Sequence, residues 1–201
     1  MERPLTGEPL AVDLLNTRWR NGDREVDLLD GLDGLAQWLV ESGQTDVPAT
    51  EPVRSALVRV RAVLRDVVEG QPGAQDELNA VLARGFTVRS LHDGRPRERL
   101  LLTDDSWSAA WRAADSYLDL VAQDAAGVRQ CESPACVLYF FDPAGRRRWC
   151  SMAGCGNRAK ARRHHARQHA RRVHDQTHDQ AEGRGRDESG RRAAAAPRGT
   201  A

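Results

Sequence analysis

Apolar positions along the first half of the chain are spaced for helices, and the spacing changes once. Leu10, Leu14 and Leu15 suit one side of a first helix ending near Trp19. Leu28, Leu29, Leu32, Leu35, Trp38 and Leu39 suit a second, whose firm start Gly31 and Gly34 place late. The strongest periodicity follows Thr50, an N-cap residue type, with Pro52 near the first turn. There Val53, Ala56, Leu57, Val60, Val63, Leu64, Val67 and Val68 recur every three or four residues until Gly70. A short helix around Leu78 to Leu82 comes next. The period then becomes two: Phe86 to Leu91 alternates, His92-Asp93-Gly94 supplies a turn, and Arg99 to Leu102 resumes the apolar run, which predicts a β-hairpin. A long amphipathic helix carrying Trp107, Trp111, Ala114, Leu118 and Val121 closes the segment near Gly127.

The predicted N-terminal domain, residues 1–127, is therefore mainly α with one β-hairpin. It contains no glycine-rich phosphate loop, no G-x-S-x-G elbow and no H-E-x-x-H pair. Asn16, Thr17 and Arg18, with Asp13, are candidates for polar groups at a pocket mouth. The plainer alternative is the wet side and C-terminal end of the first helix.

A chain of 201 residues suits one sizeable domain, or a modest domain with an appendage. No stretch nears the roughly 18 apolar residues of a membrane span, and Met1 to Thr17 lacks a basic start and an apolar signal core. A soluble, cytoplasmic protein is expected. Charge changes the picture further. Residues 1–128 hold 14 Arg against 22 acids, and residues 129–201 hold 15 Arg and Lys160 against 7 acids. An acidic body joined to a basic end points to a polyanionic partner for that end.

All four cysteines, Cys131, Cys136, Cys150 and Cys155, follow the spacing C-x4-C-x13-C-x4-C. Two short loops can place two thiolate pairs at the corners of a tetrahedron, the arrangement of structural zinc. Free thiols and disulfides are the weaker alternatives, the latter needing an oxidising compartment. Between the pairs, Val137 to Phe141 reads as a strand, Asp142-Pro143-Ala144-Gly145 as a turn, and Arg146 to Cys150 as the returning strand. A helix starting near Cys155 completes a treble-clef-like zinc finger of knuckle, β-hairpin and basic helix.

The run Cys131-Glu132-Ser133-Pro134-Ala135-Cys136, the aromatics Tyr139-Phe140-Phe141, Arg147-Arg148-Trp149-Cys150-Ser151-Met152 and then Cys155-Gly156-Asn157-Arg158 resemble the CGNR zinc finger. Leu14-Leu15-Asn16-Thr17, Asp27-Leu28-Leu29 and Leu35 with Trp38-Leu39 resemble the ABATE domain that precedes this finger in bacterial proteins described as stress-induced transcription regulators. The resemblance implies one structural zinc and a finger that binds DNA.

From Pro143 to His174 there is no acid and there are ten cations: Arg146, Arg147, Arg148, Arg158, Lys160, Arg162, Arg163, Arg167, Arg171 and Arg172. Lys160, Arg163, Arg167 and Arg171 follow at helical spacing, while Ala159, Ala166, Ala170 and Val173 share a narrow face suited to packing on the finger. Asn157 and Arg158 are expected to support the helix start and the thiolates more than to read bases. His164, His165, His169, His174 and His178 suit a solvated helix better than a second metal site. Residues 128–174 then form the finger with its basic helix, and residues 175–201 a disordered tail.

The expected function is a zinc-dependent, DNA-binding transcription regulator whose N-terminal domain senses a ligand or partner. A single small finger covers few base pairs, so specificity favours a homodimer on repeated half-sites. The alternatives are an RNA- or ribosome-associated protein, with Tyr139, Phe140 and Phe141 as stacking candidates, or an interaction adapter with a purely structural zinc. No convergent catalytic set favours an enzyme.

Overall fold

The computed structural model describes residues 2–171, so the expectations for Arg172, Val173, His174, His178 and the 175–201 tail fall outside it. The first helix, α1 (Leu10–Leu15), is shorter than its spacing suggested. The chain leaves it at Asn16 and forms a hairpin of β1 (Arg18–Asn21) and β2 (Arg24–Asp27), with Gly22 at φ 62° in the turn. Trp19 therefore ends no helix. It lies on β1 opposite Val26 and is buried by tertiary packing, which overrides local spacing.

A short 3-10 turn (Leu28–Asp30) leads into α2 (Leu32–Glu41). Gly34 lies in the first turn of α2, where a Cβ would stand 1.8 Å from the Leu28 carbonyl oxygen. The long helix α3 (Glu51–Val68) begins after Thr50 as expected and turns Val53, Ala56, Leu57, Val60, Val63 and Leu64 inward. It packs on α1, on α4 (Ala74–Leu82) and on α5 (Ser108–Gln123). On α5 the buried stripe is Ala110, Ala113, Ala114, Tyr117 and Leu120, leaving Leu118 and Val121 on its exposed rim. The small alanines let α1 and α3 approach the α5 backbone closely. The predicted hairpin is present as β3 (Gly85–His92) and β4 (Arg95–Leu102), joined by Asp93 and Gly94 at φ 49° and 69°. Two positive φ values match the turn that suits twisted strands.

The cysteine segment starts with β5 (Val128–Gln130), which pairs antiparallel with β6 (Tyr139–Phe141). The returning strand expected at Arg146 to Cys150 is not formed. Strand β6 takes its partner from before the first cysteine, and Glu132 N–H bonds only the Arg148 carbonyl on the later segment (3.0 Å). A π-helical turn (Met152–Gly156) carries Cys155, and α6 follows over residues 157–171.

The chain divides into a compact unit through Gly156 and a second from Asn157. The first thus crosses residue 127, and Cys131, Leu138, Tyr139, Phe140, Cys150 and Cys155 share one apolar core with the helices. Among the described residues no helix is long and apolar enough to cross a membrane.

Candidate metal centre and basic helix

Local backbone bonds set the first cysteine pair. Cys131 N–H bonds the Leu138 carbonyl at 2.8 Å, extending the β5–β6 ladder, and Cys136 N–H closes its loop on the Ser133 carbonyl at 2.8 Å. The second pair comes from the segment after Arg148 and from the π turn, where Gly156 N–H bonds the Ser151 carbonyl at 3.0 Å.

These loops bring all four Sγ atoms within 4.8 Å of one another, with Cys136–Cys150 at 3.8 Å and Cys150–Cys155 at 3.6 Å. A tetrahedron with Zn–S bonds of about 2.3 Å has S···S edges of about 3.8 Å, so the cluster has the size that zinc needs. Cys131, Cys150 and Cys155 are buried and Cys136 is partly so. Cys150 N–H donates to Cys131 Sγ at 3.4 Å, and the Ser133 and Leu138 amides donate to Cys131 and Cys136. Such donors offset the negative charge of a four-thiolate centre.

Without metal, the thiols share protons unevenly. The Sγ–Sγ contact with Cys150 helps hold the Cys136 thiol down to about 5, while the same contact and burial push Cys150 upward. A bound zinc replaces those protons. Four thiolates fill its tetrahedral sphere and leave no position for water, so the ion is structural. Among the described residues, this is the group of three or more Cys, His, Asp or Glu close enough to hold a metal. His164 instead meets Gln168 through Nε2 at 2.9 Å.

The body grips this segment through residues far away in sequence. Asn16 Nδ2 donates to the Tyr139 carbonyl at 2.9 Å, and Tyr139 N–H donates to Asn16 Oδ1 at 2.8 Å. Tyr139 O–H donates to Glu69 at 3.0 Å, and burial with that acceptor pushes the phenol up to about 12. Glu8 accepts from Phe141 N–H and from Arg147 Nη2, both at 3.0 Å. Asn16 carried a polar signal in the sequence, although its partner was not visible there. Glu8 and Glu69 carried none, because a lone acid on a helical surface pattern looks solvated.

Asn16 and Thr17 are accordingly not at a pocket mouth. They are 1% and 0% exposed, and their polar groups are engaged within the protein. Thr17 Oγ1 donates to the Leu14 carbonyl and accepts from Arg61 Nη1, both at 2.7 Å. Arg61 in turn forks onto both oxygens of Asp27 at 2.6 Å. Arg18 is partly exposed and pairs with Glu25 across the β1–β2 hairpin. Asp13 is buried and accepts from Arg3 and from Trp38 Nε1, both at 2.8 Å.

Two of the three arginines before Cys150 also have occupations. Arg147 bonds Glu8 and the Cys150 carbonyl and lies 4.5 Å over the Phe140 ring. Arg148 pairs with Glu132 at 2.7 Å and lies 5.3 Å from the Trp149 ring, while Arg146 is exposed. Arg158, Lys160, Arg162, Arg163, Arg167 and Arg171 all lie on α6 and are exposed. Every residue from 160 to 171 is exposed, Ala166 and Ala170 included, while Ala159 is buried.

Two family models match. The CGNR zinc finger model covers residues 128–168, and the ABATE model, described as "Putative stress-induced transcription regulator", covers residues 8–126. Neither is an enzyme family, and no curated protein matches the chain. With more than half its length matched by the ABATE model and its four cysteines gathered within the match that follows, the chain belongs to the ABATE family and carries a CGNR zinc finger.

Proposed function

We propose that the protein is a zinc-dependent transcription regulator that contacts double-stranded DNA through α6, with the helical body as the seat of ligand or partner sensing. The observation that carries this reading is the exposure of α6 from residue 160 to 171, with six cations and no acid over 157–171. Arg158 and Arg162, Arg163 and Arg167, and Arg167 and Arg171 are like charges four apart, each pair costing an isolated helix a few tenths of a kcal/mol. Phosphates reverse the sign of that term, and neutralising them releases condensed counterions. Arg147 and Arg148 are paired with Glu8 and Glu132, which offsets part of their charge.

The RNA alternative loses two of its three stacking candidates. Tyr139 and Phe140 are 2% and 0% exposed, and a base cannot stack on a buried ring, while Phe141 is partly buried.

Fluorescence anisotropy on the zinc-loaded protein tests the reading, using its own upstream duplex, a scrambled duplex and single-stranded RNA at several salt concentrations. Tighter binding to the upstream duplex is expected. Arg163, Arg167 and Arg171 changed together to Gln should lower the salt slope by about 2 to 3, since each phosphate contact adds about 0.9. An unchanged slope would remove α6 as the interface, and tighter RNA binding would favour the alternative.

A further inference from the structure

Charge on the β3–β4 hairpin is sorted by face. Residues 86–99 are all exposed, and the strands pair in register from Gly85↔Leu102 to His92↔Arg95. Directly opposed residues share a face. One face therefore holds Val88 with Arg99, Ser90 with Arg97 and His92 with Arg95. The other holds Thr87 with Leu100, Arg89 with Glu98 and Leu91 with Pro96.

The second face is turned toward α5. Thr87, Glu98 and Leu100 line a groove with Trp111, Asp115 and Asp119. Its one arginine, Arg89, is paired with Glu98 at 3.0 Å. The first face carries no carboxylate from Phe86 to Leu101; Asp93, the nearest acid along the ribbon, belongs to the turn. The side chains of Arg95, Arg97 and Arg99 make no hydrogen bond or ion pair among the described residues. In an N-terminal region with 22 acids against 14 arginines, this row is a local reversal of sign.

We propose that this ribbon face is a second duplex-DNA contact, with Arg95, Arg97 and Arg99 laid against phosphates. The inference rests on the DNA reading of α6 and extends it to the N-terminal body. Alternate residues on a strand advance about 6.8 Å. Phosphates along one DNA strand rise about 3.4 Å along the axis per nucleotide and also turn about it, so neighbours stand about 7 Å apart and the three arginines keep step with successive phosphates. A two-stranded ribbon also fits the major groove, which is about 12 Å wide. The acids Asp115 and Asp119 lie on the other side of the ribbon, and salt confines the body's remaining negative field to about 8 Å.

The test uses the full, zinc-loaded chain and a labelled mixed-sequence duplex. R95Q/R97Q/R99Q should reduce the salt slope by about 2 to 3 and weaken binding at least tenfold near 0.1 M salt, and R97Q alone should reduce the slope by about 1. R20Q/R24Q/R59Q removes the same charge from other exposed positions of the body and should leave the slope unchanged. R95K/R97K/R99K should preserve it, because phosphate neutralisation needs charge and not the guanidinium fork. A slope unaltered in the ribbon variant but reduced in the α6 variant overturns the ribbon and leaves the DNA reading standing. An equal fall in R20Q/R24Q/R59Q also overturns it, since net charge would then explain the effect. A parent protein that does not bind duplex at all sinks both.

Discussion

Asn16 holds Tyr139 by both polar groups of its peptide backbone, donating to the carbonyl at 2.9 Å and accepting from the N–H at 2.8 Å across 123 residues of sequence. Asn16 is the C-cap of α1, and Tyr139 begins β6 next to the cysteine loops. One carboxamide thus completes a sheet strand that would otherwise bury unsatisfied backbone against the helical core.

Asn16→Ala should therefore cost about 2 to 4 kcal/mol, because it strands a buried donor and a buried acceptor together. Asn16→Asp should recover little, since a carboxylate accepts but cannot donate to the carbonyl. Urea denaturation of the zinc-loaded protein reads the difference. Equal stability of parent and Asn16→Ala would show that water replaces the carboxamide without loss.

Changing Cys150 or Cys155 to Ser should abolish zinc retention, measured by native mass spectrometry. Because the cysteines share the apolar core with the helices, the loss should also lower the melting temperature of the helical body. Chelation of the parent should reproduce that fall and added zinc should reverse it. A body that melts unchanged would mean the shared core carries no coupling.

The Asp27–Arg61 fork predicts an acid limb. Burial raises the Asp27 carboxyl, but the bonds from Arg61 outweigh it and hold the group below its ordinary value. A lowered pKa contributes stability that is full above the unfolded value of about 3.9 and is lost as pH falls through the folded value. Asp27→Asn should flatten that limb and cost about 3 kcal/mol near neutrality, because Arg61 stays buried without its anion. Stability measured from pH 7 down to pH 2 tests both parts, and an acid limb as steep as the parent's would assign it to other carboxylates.

Gly34→Ala reverses a helix-propensity argument. In an open helix, alanine would gain about 1 kcal/mol over glycine. Here its Cβ would meet the Leu28 carbonyl oxygen at 1.8 Å, so α2 must shift from the 3-10 turn. A net loss of about 1 to 3 kcal/mol is expected from such overpacking. Thermal melting of this variant beside Gly31→Ala, an N-cap position where a Cβ would meet nothing within 4 Å, tests whether the loss is specific to the crowded site. Equal behaviour of the two would mean that the α2 start yields freely.

Short-range patterns carried the features that depend on neighbours in sequence. The zinc ligands were legible because each pair closes its own small loop. Helix α3 was legible because its apolar period runs unbroken from Val53 to Val68, and the β3–β4 turn because Asp93-Gly94 tolerates positive φ. Tertiary structure alone decided what depended on a distant partner. It broke α1 at Asn16, folded Trp19 into a second hairpin, gave β6 its partner in β5 and occupied Arg147 with Glu8. A side chain such as Asn16 reads the same in sequence whether water or a buried strand satisfies it, and packing chooses between them. Backbone donors and acceptors must be paired once buried, and which group pairs them is set by elements that meet only when the chain has folded.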